Sequence, residues 1–136
     1  MIGYADVGYL SDPHKARSQT SYVFTYGGTT ISWRSVKQTM VATSSNQSEI
    51  LVIHEASCEC VWLRLMIQHI QETCGLRSIR GNATTLHEDN AACIAQIKGE
   101  FIKGDRTKHI SLNSFILMSS KRKVRSMFNI FSYAII

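Results

Sequence analysis

Three carboxylates, Asp6, Glu49 and Asp89, stand where folded elements begin or end in this 136-residue chain. Asp6 falls in a short β-prone run, Glu49 at the start of a long helical pattern, and Asp89 at the end of a later β-prone run. If the two strands lie side by side and the helix starts over them, the three side chains converge. Clustered carboxylates repel one another, so they persist best around a hard cation, and octahedral Mg2+ with oxygen ligands suits them. Two such ions about 3.5–4 Å apart serve in-line hydrolysis of a phosphodiester, one activating water and one steadying the leaving oxygen. Any domain that mixes strands and helices has acids at element ends. Spacing alone therefore leaves ordinary helix and strand dressing open beside the catalytic reading.

The elements that must position these groups follow from local patterns. Ser44 and Gln47 have capping-box spacing, with Ser45 a second candidate cap. From there the chain runs to Cys74 without Gly or Pro, and Gly75 supplies a stop. Ile50, Ile53, Val61 and Leu65, and less regularly Ala56, Cys60 and Ile67, fall on one broad apolar face. Glu49 is expected in the first turn, where free N–H groups favour a carboxylate. Upstream, residues 2–10 read as a short strand interrupted by Asp6, residues 11–14 as a turn, and residues 15–20 as a polar stretch. Ser21–Tyr26, the pair Gly27-Gly28 and Thr29–Trp33 predict a β-hairpin, followed by a basic loop to Thr43. Downstream, Thr84–Glu88 reads as a strand, Ala91–Ile97 as a small-residue helix, and residues 107–117 as either helix or strand. A hairpin followed by helix, strand and helix points to an α/β domain with a mixed sheet and helices on its faces.

Composition is that of a globular domain: 44% hydrophobic and 18% charged. No segment approaches the roughly 18 uninterrupted apolar residues of a membrane span, and the N-terminal residues reach Asp6 too soon for a signal peptide. The net charge of +5 suggests a nucleic-acid partner until it is divided. Residues 1–102 hold 8 Lys/Arg against 9 Asp/Glu, whereas residues 103–136 hold 7 against 1, with Lys121, Arg122, Lys123 and Arg125 in one run. The cysteines at 58, 60, 74 and 93 include no Cys-x-x-Cys pair and read as reduced, mostly buried thiols of an intracellular protein. His54 and Cys58 are half of a metal site that nothing completes. Trp33 and Trp62, each among apolar neighbours, are expected in the core, and His87 is read as incidental to its strand.

Several segments carry a more specific signal. They are Gly3-Tyr-Ala-Asp6, Ser18-Gln-Thr-Ser-Tyr-Val-Phe24, Gly27-Gly-Thr-Thr-Ile-Ser-Trp-Arg-Ser35, Lys37-Gln38, Val41-Ala-Thr-Ser-Ser45, Glu49, Trp62-Leu-Arg64, Glu88-Asp-Asn-Ala91 and Arg106-Thr-Lys-His-Ile110. In order and spacing, over about residues 3–117, the set resembles the ribonuclease H domain of copia-type LTR-retrotransposon Pol polyproteins, especially plant ones. The resemblance implies a ribonuclease H-like α/β fold and hydrolysis of the RNA strand of RNA–DNA hybrids. It implies a two-metal Mg2+ site (Mn2+ as a substitute) held by Asp6, Glu49 and Asp89. It also implies ancestral fusion to reverse transcriptase and integrase, no membrane, and a cytoplasmic virus-like particle or the nucleus as the setting. Arg34, Lys37, Gln38, Lys108 and His109 are the candidates for nucleic-acid contact.

Three departures qualify the expectation. Gly8 stands where the family usually has a second Asp, and Gln47 where it often has Glu. More seriously, no Asp or Glu follows Asp105, so the fourth carboxylate of the family is missing. Residues 1–117 are read as the domain and residues 118–136 as a divergent basic tail, with the family's last strand missing or altered. A one-base frameshift is the hypothesis for the tail: with chosen codons, Met118–Phe131 can be back-translated so that the neighbouring frame resembles the family's continuation. This copy is accordingly expected to be weakly active or inactive. The other readings are a nucleic-acid-binding module without catalysis and an inert relic of a transposon polyprotein.

Overall fold

In the computed structural model, the residues described are 1–12, 14–42, 44–76, 84–98 and 133–135. The chain forms β1 (Ile2–Asp12), β2 (Arg17–Tyr26), β3 (Thr29–Lys37), α1 (Ser45–Thr73), β4 (Thr84–His87), α2 (Ala91–Lys98) and β5 (Tyr133–Ile135). The strands make one sheet in the order β3-β2-β1-β4-β5. β1, β2 and β3 pair antiparallel, while β4 is parallel to β1 and β5 parallel to β4. The expected mixed sheet with a leading hairpin is present. Its far edge is formed by a short strand at Tyr133–Ile135.

Alternation along β2 decides which face meets the helix. Ser18, Thr20, Tyr22 and Phe24 are buried, and their neighbours are only partly so. Tyr22 and Phe24 join Ala5 of β1, Leu86 of β4, Cys93 and Ile97 of α2, and Ile50, Val52, Ile53, Ala56, Cys60 and Leu63 of α1 in one core. Complete burial of an aliphatic or aromatic side chain contributes about 1.5–3 kcal/mol each. Ser48 to Ile53 are six consecutive buried residues, so the first turns of α1 are enclosed around their circumference. Further along, Leu65 is exposed, contrary to the face predicted for it.

The boundaries have local causes. Gly27 (φ +59°) and Gly28 (φ +82°) allow the two-residue hairpin turn, whose backbone needs positive φ at both positions. Gly75 (φ +64°) ends α1 in a Schellman arrangement, with Leu76 N–H donating to Gln71 O at 2.8 Å and Gly75 N–H to Glu72 O at 3.3 Å.

Four expectations need correction. β1 passes through Asp6 without interruption and is 11 residues long, with a register shift between Gly8 and Asp12. β2 begins at Arg17, because the small polar residues Ser18 and Thr20 find buried partners in Ser48 of α1 and in Gln38 just past β3. β3 continues to Lys37, so Arg34 and Lys37 lie on a strand and not in a loop. Trp33 is 75% exposed and Trp62 54%. Trp33 points away from α1, since it pairs with Val23 while the flanking Tyr22 and Phe24 face the helix.

No disulfide joins the cysteines; Cys60 and Cys93 are buried, whereas Cys58 and Cys74 are exposed. Among the described residues no helix is long and apolar enough to cross a membrane. Lys108, His109 and the basic run 121–125 lie outside the described residues.

Gly3 tests how closely the sheet packs. A Cβ there would collide with the Phe24 ring and meet Leu86 Cδ1 at 2.9 Å. Gly3→Ala should therefore cost about 1–3 kcal/mol through overpacking, read as a lower urea midpoint with an unchanged m-value.

Candidate active site

The acidic site is built from the helix start upward. Ser44, in extended conformation (φ −151°, ψ 158°), caps α1 by accepting a hydrogen bond from Gln47 N–H at 3.3 Å. One turn on, Ser48 is fully buried. Its hydroxyl lies 3.0 Å from that of Ser18, which also accepts from Leu10 N–H at 3.2 Å. Gln38 completes this lock: its amide nitrogen donates to Ser48 O at 3.1 Å and Thr20 Oγ1 at 3.3 Å, and its backbone N–H to Ser18 O at 2.8 Å. The lock seats the helix start on β2, and Glu49 comes next in the chain. Glu49 lies just beyond the first turn, so the free N–H groups expected to favour its charge are not its partners. Gln38 is 3% exposed and its amide is engaged internally, which corrects its candidacy for nucleic-acid contact.

The parallel pairing of β1 with β4 brings up the other acids. Tyr4 is opposite His87, and their rings stack with centroids 4.9 Å apart at 15°. Beyond this pair, Asp6 lies two residues along β1, while Glu88 and Asp89 follow the last residue of β4. Burial alternates through Thr84, Leu86 and Glu88, which places Glu88 on the side of α1 with only 5% exposure. Asn90 then caps α2 by accepting from Cys93 N–H at 3.0 Å, and its own N–H donates to Glu88 Oε1 at 3.1 Å.

Carboxylate oxygens of Glu49, Glu88 and Asp89 lie within 4.8 Å of one another, Glu49 and Glu88 buried and Asp89 exposed. Asp6, exposed on β1, is close enough for its charge to act on both glutamates. Burial, followed by the charges of Glu88, Asp89 and Asp6, pushes the Glu49 carboxyl up to about 8. Burial also raises Glu88, to about 7, against the opposing hydrogen bond from the Asn90 backbone. Glu49 Oε2 and Glu88 Oε2 are buried with no hydrogen-bond partner. The two carboxyls are placed to share a proton with each other; ionising both in the interior is costly, and a hard cation is a group that would offset both charges together. The donor set, all carboxylate oxygens, suits Mg2+ or Mn2+.

Of the three acids singled out in the sequence, Glu49 and Asp89 stand in this cluster, and Asp6 flanks it. Glu88 was missed, although the alternation Thr84, Leu86, Glu88 carries it to the buried face. Among the candidate contact residues, Arg34 is exposed yet hydrogen-bonds the Tyr22 side chain and has Glu55 nearby. Lys37 pairs with Asp12 at 2.8 Å while 60% exposed, a contact worth at most about 1 kcal/mol.

No family model matches the chain. It is 41% identical over 63 residues to the secreted RxLR effector protein 161 of Plasmopara viticola, covering 46% of this chain and 44% of that protein. It is 29% identical over 110 residues to the retrovirus-related Pol polyprotein from transposon TNT 1-94 of Nicotiana tabacum, covering 81% of this chain and 8% of the polyprotein. The chain thus spans less than half of the first relative and a small part of the second. Among solved structures it resembles the N-terminal RNase H domain of rv2228c from Mycobacterium tuberculosis, at TM-score 0.58 and 15% identity over 100% of this chain and 87% of that one. LC11-RNase H1, isolated from compost by a metagenomic approach, gives TM-score 0.57 and 14% identity over 99% and 81%. The fold is ribonuclease H-like α/β.

The raised carboxyls have a consequence for stability. With divalent cations chelated, the folded state holds protons on Glu49 and Glu88 that the unfolded state releases near 4.5. Between about 4.5 and 8 the native state binds more protons, so unfolding free energy falls as pH rises. The loss should be on the order of 1 kcal/mol or more, a few degrees in Tm. Melts in EDTA from pH 5 to 8.5 should show it, and Glu49→Gln should flatten the profile. A wild-type Tm that holds steady or climbs relative to the variant would contradict the assignment.

Proposed function

We propose that this domain, ribonuclease H-like in fold and related in sequence to retrotransposon Pol, hydrolyses the RNA strand of RNA–DNA hybrids with bound Mg2+. Asp6, Glu49 and Asp89 hold the cations, and Mn2+ would substitute. The observation that carries this reading is the close-set trio of carboxylates, with Glu49 Oε2 and Glu88 Oε2 buried beside the exposed carboxylate of Asp89. When bound, divalent cations lower the pKa of an attacking water and neutralise charge on the phosphate oxygens.

The remaining work falls to the chain. Glu49 forms the floor of the site, held by the Ser48–Ser18–Gln38 lock one residue away. Asp6 and Asp89 are exposed and form the rim, where a phosphodiester backbone can approach. Recognition of a hybrid would rest on backbone shape and 2′-hydroxyls, with little sequence preference. The lineage is copia-type, and within its polyprotein the domain would work beside reverse transcriptase and integrase. Turnover is expected to be slow, because residues 106–136 include no acid to match the family's fourth carboxylate.

A labelled RNA–DNA hybrid incubated with the chain in Mg2+ tests the proposal. Slow cleavage of the RNA strand, lost on chelation and reduced about 100-fold or more by Asp6→Asn or Asp89→Asn, is the expected result. Failure of the folded wild type to cleave in excess over substrate would refute it.

A further inference from the structure

Glu88 is the acidic residue at this site that the three-carboxylate reading does not use. It is 5% exposed, and one of its oxygens accepts from Asn90 N–H at 3.1 Å. That contact helps the turn into α2 and would be met equally by a glutamine oxygen. The other oxygen, Oε2, is buried without a hydrogen-bond partner, as is Oε2 of Glu49, itself 7% exposed. Among the described residues neither glutamate has a cationic partner; the ion pair there is Lys37 with Asp12, on other elements. The Asn90 contact and a proton shared with Glu49 account for Glu88 as a neutral acid, and among the described residues nothing offsets its charge once both glutamates ionise.

A second observation concerns the count of ligands. Residues 106–136 include no Asp or Glu. Glu88 is already at the site, with a carboxylate oxygen within 4.8 Å of those of both Glu49 and Asp89. It reaches the cluster because strand alternation continues one residue past β4. Asp89 then emerges on the exposed side, so consecutive residues supply one buried and one exposed donor.

We propose that Glu88 is a cation ligand of this site, and that with Asp6, Glu49 and Asp89 it makes a four-carboxylate set drawn wholly from residues 6–89. The proposal rests on the cation site argued above and adds to it the residue that offsets the acid-free tail. Hard-cation affinity depends on the number of charged oxygen ligands, so neutralising Glu88 weakens binding even where the fold is kept.

The test is Mn2+ binding to the full chain, measured by isothermal titration and by the loss of the free-ion paramagnetic signal at pH 7.5. Glu88→Gln keeps the side-chain volume and an oxygen for Asn90, and circular dichroism establishes that it folds. Glu49→Gln reports on the cation site itself. Glu55→Gln is the control, since Glu55 Oε2 is likewise buried and unpartnered on α1 but does not belong to the cluster. The expected result is binding by wild type and Glu55→Gln, with Kd raised about tenfold or more in both Glu49→Gln and Glu88→Gln. If Glu49→Gln weakens binding and Glu88→Gln matches the control, the role of Glu88 is overturned while the site stands. If the wild type binds no Mn2+, the cation site fails, and the role of Glu88 fails with it.

Discussion

The Ser18–Ser48 hydroxyl contact, with the Gln38 amide beside it, sets where α1 begins relative to the sheet. Three separate parts of the chain meet there: the start of β2, the residue after β3, and the second turn of the helix. All the groups are small and buried, so each hydrogen bond made is one that water cannot replace. The arrangement leaves almost no freedom in the height or rotation of the helix start. Glu49, adjacent to Ser48, is therefore committed to its position before any cation or substrate is considered.

That commitment has an energetic cost which the site retains. Glu49 and Glu88 are pressed into the interior near each other and near Asp6 and Asp89, and their carboxyls respond by holding protons well above the ordinary range. A fold selected only for stability would have replaced such a pair with apolar or singly polar residues. The same crowding is what a site for hard cations requires, since like charges that cannot separate are relieved by a positive ion. Local instability at the acidic end and affinity for a divalent ion are two descriptions of one arrangement. The Tyr4–His87 stack and the Asn90 cap hold β1 and the β4–α2 turn in register, which keeps the acids from relaxing apart.

The far edge of the sheet carries a different lesson. The C-terminal residues have a composition unlike the body of the chain, basic and without acids, yet Tyr133–Ile135 supply a short parallel strand against β4. Backbone pairing asks for little beyond an extended β-prone segment within reach, and Tyr-Ala-Ile meets that demand. A ligand demands a particular side chain at a particular point. Tyr133–Ile135 can thus occupy the edge of the sheet without meeting the stricter demand of a ligand.

Much was legible from the sequence because it depends on neighbours in the chain. The Ser44 cap, the Gly75 stop and the Gly27-Gly28 turn are local backbone requirements, and the structure has α1 and the hairpin where they indicated. The acids Asp6, Glu49 and Asp89 could be singled out because the order and spacing of their motifs resemble a known family, although Asp6 lies within β1 and not at its end. What local pattern missed was decided across the sheet. The polar start of β2 became strand because Ser48 and Gln38 lie opposite it. Gln38, polar in sequence, became core, whereas Trp33, apolar in sequence, became surface, because the alternation of β3 relative to α1 is set by its pairing with β2. Glu88 joined the site because parallel pairing of β1 and β4 turned its side toward Glu49. The sequence by itself determined the main helix and the hairpin, since caps, turns and periodicity act over a few residues. Only the tertiary structure decided which faces met, because burial of a side chain is a property of what is packed against it.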